Sequence, residues 1–475
     1  MEVIVGREKE IADLEQYVAS DHAEFIAIYG RRRVGKTFLV NQLFAGRLAF
    51  SMTGIIGGTA AEQFDVFCEA LEFAGHVMKS QPKTWLKAFA ELRKFLQPKV
   101  GKGAPVIVFL DEIPSLDTHG SDFSRALGHF WNSWASLQSS LKLIVCGSAT
   151  TWMIRNIIDD KGGLHNRITH EMALSQFSLH ETELYLQSRG FNWKRLMILQ
   201  TYMALGGVAY YLSLLRPEES LAENLDRLYF SPSGELRREF SRLFKTLFKS
   251  PEPYMKIVQL LAENKKGLTR QEISNKLNAS GRTLTEWLEN LQNCEFIRLY
   301  HTRGKKVNVN GGIYQLVDFF SMFHLHFSVK ALGEENYWTN HCGLPEMNSW
   351  LGLTFERVCL AHLHQIKNVM HIDRIASKAY SWRSKASNGN GAQIDMIVER
   401  ADDIIHLFEI KYSKSEYVLT KAEMDKIENR ITAFERETGT RCAIYLTMIT
   451  TFGLAKGVYS HDIKDQLTLD DLIAC

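Results

Sequence analysis

The chain alternates short, unbroken apolar runs with longer stretches of helical periodicity. Residues 24–29 (EFIAIY), 49–54, 106–110 (VIVFL) and 141–146 (LKLIVC) read as strands. Their lack of polar alternation places them in a parallel sheet covered on both faces. Helical spacing intervenes at 60–74 and 84–96. One α/β domain is expected over 1–177, followed by a helical segment over 178–250. Ser178 with Glu181 three residues on forms a capping-box start for the latter. In the next unit, 251–330, helices at 254–263, 269–277 and 282–293 precede strands at 296–301 and 307–315. An aromatic connector, VDFFSMFHLHFSVK, leads into a last α/β region over 331–475. There the apolar segments IDMIV and IIHLFEIK suggest a hairpin, followed by a helix at 421–437, a strand in RCAIYLTMI and a terminal helix. No internal repeat is visible.

Composition narrows the class. Of 475 residues, 45% are hydrophobic and 23% charged, as in ordinary globular proteins. The net charge of +2 excludes a polycation but not a local basic patch. No signal peptide and no uninterrupted apolar run of ~18 residues is read, so a cytoplasmic protein without a membrane span is expected. The seven cysteines, Cys68, Cys146, Cys294, Cys342, Cys359, Cys442 and Cys475, never fall in a CxxC spacing. They read as reduced thiols rather than a disulfide framework or zinc site.

The segment Gly30-Arg31-Arg32-Arg33-Val34-Gly35-Lys36-Thr37 matches GxxxxGK[ST], between a strand and a helix. Glycines let backbone N–H groups turn inward around phosphates, and the helix start adds its dipole. Lys36 suits the β- and γ-oxygens of ATP, and Thr37 suits Mg²⁺. The three arginines cannot all reach phosphate. The strand VIVFL ends in Asp111 and Glu112, the first placed for Mg²⁺ and the second for polarising an attacking water. Ser148, after the next strand, reads either as a polar sensor of the γ-phosphate or as a turn serine. Arg167 in GGLHNR reads either as an arginine finger or as a solvated surface residue.

VGREKEIADL, IYGRRRVGKT, VIVFLDEI, IVCGSATTWM and GGLHNR together resemble prokaryotic ATPases of the STAND branch of AAA+-like P-loop proteins. The resemblance is nearest to archaeal and bacterial members with a fused C-terminal nuclease-like domain, and it spans nearly the whole chain. It implies that Gly6 and Arg7, with Glu8, help close the nucleotide site. Where that family tends to carry GG-x-P in its helical lid, this chain has Gly206-Gly207-Val208-Ala209.

Three short helices with two following strands fit a winged helix-turn-helix. Ile273, Leu277, Leu284, Leu288 and Leu291 have the spacing of a small core. Arg282, Thr283 and Thr285 open the recognition helix, while Arg303, Lys305 and Lys306 crowd the wing. Residues 251–316 carry ten basic against six acidic side chains, which suits DNA. A packing or protein-docking role is the alternative.

In the last region Asp395 opens one strand of the expected hairpin, and Glu409 and Lys411 share a face of the other. Two carboxylates and a lysine can hold Mg²⁺, or Mn²⁺, and orient a water. Glu356 offers a third acid from a helical segment. This arrangement resembles the PD-(D/E)XK nuclease superfamily, which implies metal binding by Asp395 and Glu409 and a catalytic role for Lys411. A Glu409–Lys411 salt bridge on a strand face is the plain alternative. His324 and His326 read as packing residues.

The fold expected is therefore α/β and multidomain: a P-loop NTPase sheet, helical lid, winged helix-turn-helix and a C-terminal α/β PD-(D/E)XK nuclease-like domain. The function expected is an Mg²⁺-dependent ATPase whose nucleotide state controls DNA binding and metal-dependent cleavage. The alternative is an ATP-driven regulatory switch that binds DNA or a protein partner without cutting. A homo-oligomer with Arg167 acting in trans is a further expectation.

Overall fold

The computed structural model describes residues 3–159, 162–301, 312–331, 333–384 and 392–474. They divide into two compact units, one comprising 1–176 with 208–210 and the other 177–207 with 211–475.

The first unit is built on strands β1 (Glu24–Tyr29), β2 (Leu48–Thr53), β3 (Val106–Asp111), β4 (Leu141–Gly147) and β5 (His170–Ala173), all parallel in the order β2-β3-β4-β1-β5. Every residue of β3 and β4 is buried, which explains why those stretches carry no polar alternation. Successive side chains serve opposite faces. Phe25, Ala27, Val108, Leu110, Leu143 and Val145 join one core cluster. Ile26, Ile28, Ile107, Phe109, Ile144 and Cys146 join the other. Of these five strands, β5 was not read from the sequence, because a four-residue edge strand with one buried side chain has no apolar signature.

The order of the strands matters for the chemistry. β4 lies between β1 and β3 and runs parallel to both, so the segments after all three strands meet at the carboxyl end of the sheet. Phosphate loop, acidic pair and Ser148 follow β1, β3 and β4 in turn.

In the second unit, helices Leu179–Ser188 and Arg195–Leu205 come first. The helical segment 178–250 thus belongs to the same compact unit as the chain that follows it, apart from 208–210. Helices Glu252–Glu263, Arg270–Leu277 and Gly281–Asn293 accompany an antiparallel sheet of β6 (Leu268–Thr269), β7 (Ile297–His301) and β8 (Gly312–Leu316), ordered β6-β8-β7. Ile273, Leu284, Leu288 and Leu291 are buried as their spacing requires, while Leu277 is not among the core residues. The basic residues Arg303, Lys305 and Lys306 lie outside the described residues. The aromatic connector forms helix Phe319–Phe323 and a wider turn over His324–Ser328, with Phe319, Phe320, Phe323 and Phe327 buried.

The last sheet holds β9 (Ser377–Arg383), β10 (Gln393–Arg400), β11 (Ile404–Lys411), β12 (Ala443–Thr450) and β13 (Asp465–Leu467), ordered β13-β12-β11-β10-β9. β9, β10 and β11 run antiparallel, and β11, β12 and β13 parallel. Helix Lys421–Thr438 makes the crossover that a parallel β11–β12 pair demands. Helix Pro345–Ala361 packs against β11.

Candidate functional site

At the carboxyl end of β1 the chain turns sharply before helix Lys36–Leu43. Gly30 has φ 143°, and an added Cβ would lie 2.2 Å from the Leu174 carbonyl oxygen, so only glycine fits there. Gly35, at φ 97°, caps the helix. Lys36 is buried, and its ammonium donates to the Gly30 and Arg31 carbonyls at 2.8 Å each. Thr37 Oγ1 donates to Asp111 Oδ2 at 2.7 Å. A hydroxyl beside a carboxylate is a hard-oxygen donor pair, and Mg²⁺ typically takes only one or two such protein ligands alongside phosphates and water. These two residues fit Mg²⁺, which would neutralise phosphate charge when bound.

Glu112 stands at φ 48°, in the left-handed region, which turns its side chain away from the line of β3. Its Oε1 accepts from the Ser148 hydroxyl at 2.8 Å, and its N–H donates to Asp111 Oδ1 at 2.9 Å. Burial pushes its carboxyl above the ordinary range, with Ser148 and Lys36 working the other way. A carboxylate poised in that way suits proton abstraction from an attacking water.

The remaining predicted nucleotide residues divide between this site and its walls. Arg31 and Val34 are buried. Arg32 lies close enough to act electrostatically on Glu112. The Arg33 guanidinium sits 4.2 Å over the Tyr210 ring, and the Tyr210 N–H donates to the Arg33 carbonyl at 3.2 Å. Tyr210 follows Ala209, the position where the resembled family tends to carry proline. Gly6 and Arg7 both have positive φ, and Arg7 donates to the Ser175 carbonyl at 2.5 Å. Arg7 therefore joins the N-terminal segment to the chain after β5. Arg167 is exposed, and among the described residues no hydrogen bond or ion pair joins it to the phosphate loop.

The second constellation forms in the last sheet. β10 and β11 are an antiparallel hairpin with Met396 opposite Phe408, which brings Asp395 to the level of Glu409. The β9–β10 register shifts between Ile394 and Ile397, the interval that contains Asp395, and such irregularities are common beside functional sites. Gln393 Nε2 donates to Asp395 Oδ1 at 2.5 Å. Lys411 Nζ lies 2.7 Å from Glu409 Oε1, so the two do share a face. Glu356, on helix Pro345–Ala361, is raised to about 7, first by burial and then by the charge of Asp395. Lys411 and Glu409 also act on it, so the four predicted residues are electrostatic neighbours.

Sequence reasoning missed the arginines around them. Arg430, on the crossover helix, lies 3.0 Å from Glu409 Oε2 and donates to Oε1 at 3.1 Å. Arg357 follows Glu356, and Arg298 comes from β7. Nothing in their local spacing marks them. Among the described residues no group of three or more His, Cys, Asp or Glu side chains converges as a metal cluster. Asp395 and Glu409 offer the two-carboxylate set that a divalent cation shares with substrate phosphate.

Residues 4–215 match the family profile described as an ATPase domain predominantly from Archaea. Residues 4–215 are a P-loop ATPase domain. The chain is also 26% identical, over 86% of its length and 88% of the relative's, to an uncharacterized protein of Methanocaldococcus jannaschii. Distant structural likenesses include a Walker-type ATPase of Pyrococcus abyssi, at TM-score 0.48 and 19% identity, covering 68% of this chain and 96% of that one. The ORC2 protein of Aeropyrum pernix, in its ADPNP–ADP complexes, follows at TM-score 0.42 and 14% identity, covering 69% and 94%. In the P-loop ATPase domain Lys36, Thr37, Asp111 and Glu112 gather at the carboxyl ends of β1 and β3. Among the described residues no helix is long and apolar enough to cross a membrane.

Proposed function

We propose that ATP binding and Mg²⁺-dependent hydrolysis in the P-loop ATPase domain govern metal-dependent DNA cleavage at Glu356, Asp395, Glu409 and Lys411. In the first reaction Lys36 and the loop amides bind the phosphates, Thr37 and Asp111 hold Mg²⁺, and Glu112 takes a proton from water. Arg167 supplies transition-state charge, from this chain or from a second copy in an oligomer. In the second reaction Asp395 and Glu409 bind a divalent cation, Mg²⁺ or Mn²⁺. Lys411 stabilises charge developing on the phosphate or lowers the pKa of the attacking water. The three-helix unit at 252–316 delivers the duplex as a winged helix-turn-helix, with Arg282, Thr283 and Thr285 at the start of its last helix.

The observation that supports this most directly is the meeting of Asp395, Glu409 and Lys411 on one hairpin, with the Lys411 ammonium 2.7 Å from Glu409. The test is cleavage of single- and double-stranded DNA and RNA with Mg²⁺ or Mn²⁺, with and without ATP. Wild type cuts DNA, and Asp395→Ala and Lys411→Ala abolish cutting. Absence of cleavage under every nucleotide and metal condition rejects the nuclease part.

One observation favours the second reading, an ATP-driven switch that does not cut. Both Glu409 oxygens already have cationic partners, Lys411 and Arg430. In that reading Lys36→Ala changes DNA or protein-partner affinity while no strand is ever broken.

A further inference from the structure

Two guanidinium groups without a carboxylate of their own lie within electrostatic reach of Asp395. Arg357 is 9% exposed, and its Nη2 donates to the Lys265 carbonyl. Arg298 donates to Gln315 Oε1 from both Nε, at 3.0 Å, and Nη2, at 2.5 Å, and stacks 5.4 Å from the Tyr300 ring centroid. Among the described residues neither arginine forms an ion pair. Asp395 acts electrostatically on both, and Glu356 acts on Arg357. Arg298 is half-buried, whereas Arg357 is a buried cation, and burying a cation on neutral partners costs several kcal/mol that a bound anion offsets.

The surroundings have room for that anion. A cleft of about 620 Å³ is lined by Arg357, Thr354, Lys265, Gln315, Trp350 and Glu263, and Arg298 borders it through its bond to Gln315. Trp350, Leu353, Thr354 and Arg357 occupy one face of helix Pro345–Ala361 at i, i+3, i+4 and i+7 spacing, and Glu356 lies on the adjoining face.

We propose that Arg298 and Arg357 form a phosphate-binding wall for duplex DNA beside the Glu356–Asp395–Glu409 acids. The site is then composite, because β7 of the three-helix unit supplies one of its two arginines. This inference rests on the cleavage reading for its consequence in catalysis but not for its consequence in binding. A guanidinium presents two parallel N–H donors to one phosphate, which an ammonium cannot reproduce. The wall holds the backbone phosphate on the side facing the acids, where it offsets negative charge that Asp395 and Glu409 would otherwise repel.

The experiment uses the full chain and a defined DNA duplex. Binding is followed by fluorescence anisotropy in Ca²⁺ over a salt series, and cleavage is followed in Mg²⁺ or Mn²⁺. Arg298→Ala is expected to weaken binding about 10-fold or more and to lower the log K against log salt slope by about 1. It is expected to cut kcat/KM by roughly 10²-fold, as does loss of one transition-state donor. Arg298→Lys and Arg357→Lys keep the charge and the fold, checked by thermal unfolding, and recover binding better than cleavage. Unchanged affinity, salt slope and cleavage in folded Arg298→Ala overturn the wall while leaving the cleavage reading intact. Failure of wild type to bind the duplex overturns the wall too. Wild type that binds through Arg298 yet never cuts overturns the cleavage reading and retains the wall.

Discussion

The Ser148 hydroxyl donates to Glu112 Oε1 at 2.8 Å, tying the end of β4 to the carboxylate that follows β3. That bond exists because β4 lies beside β3 in the sheet although helix Phe123–Ser133 separates them in sequence. It stabilises the ionised form of a carboxylate whose burial favours the neutral one. Glu112→Gln is expected to retain ATP and slow its hydrolysis about 10²-fold or more, as loss of a general base does. Ser148→Ala removes a bond that lowers the Glu112 pKa, so the acid limb of the ATPase pH–rate profile moves to higher pH. A profile unchanged in Ser148→Ala would separate the two residues functionally.

Thr37 and Asp111 face each other at 2.7 Å as an oxygen pair for Mg²⁺. Asp111→Asn removes the only formal charge of that pair. The Mg²⁺ concentration for half-maximal ATPase activity is expected to rise roughly tenfold, for ~1.4 kcal/mol of lost interaction. A magnesium titration of steady-state turnover checks it, and an unchanged midpoint places the ion elsewhere.

Arg430 and Lys411 together hold both oxygens of Glu409. A divalent cation entering there competes with them. Arg430→Ala is expected to tighten Mn²⁺ binding about tenfold, the equivalent of one charge-assisted hydrogen bond at ~1.5 kcal/mol. Isothermal titration of the full chain with MnCl₂, with Lys36→Ala and Asp111→Asn present in both proteins to silence the nucleotide site, provides the measurement. Weaker binding would show that Arg430 orients Glu409 rather than occupying it.

Glu356 carries a pH signature. Burial, then Asp395, raise its carboxyl from the ordinary 4.5 to about 7. The folded chain therefore holds a proton that the unfolded chain releases at lower pH. This stabilisation is fully present below about 4.5 and disappears as pH rises through about 7. In chelator, the thermal midpoint of wild type should carry a downward slope across that interval which Glu356→Gln lacks. Identical slopes in the two proteins would remove Glu356 from the acidic trio.

Gly207 is pressed against the chain after β5. A Cβ there would stand 1.9 Å from the Phe177 carbonyl oxygen, and the Phe177 N–H already donates to the Gly207 carbonyl at 2.7 Å. Gly207→Ala must displace backbone, at on the order of 1–3 kcal/mol or more. The second unit should then unfold several degrees lower in a calorimetric scan. A wild-type midpoint would mean that the close approach relaxes without cost.

Much of this was legible in the residues themselves. Lys36, Thr37, Asp111 and Glu112 announce their chemistry because the phosphate loop is a local motif, and backbone turn, lysine and hydroxyl need only eight consecutive residues. The fully apolar β3 and β4 declared a doubly covered sheet for the same local reason. The hairpin joining Asp395 to Glu409 was legible because three residues separate its strands. Tertiary structure alone decided the rest. Strand order put Ser148 against Glu112, packing put Tyr210 under Arg33, and the crossover helix brought Arg430 to Glu409. Arg298 and Arg357 look like any surface arginines in sequence, and only the tertiary structure shows Arg357 buried and Arg298 half-buried, each bonded to neutral oxygens rather than to a carboxylate. Covalent neighbours and strand periodicity are fixed by the order of residues. Which charges end up sharing a low-dielectric corner depends on long-range packing, and no short pattern records it.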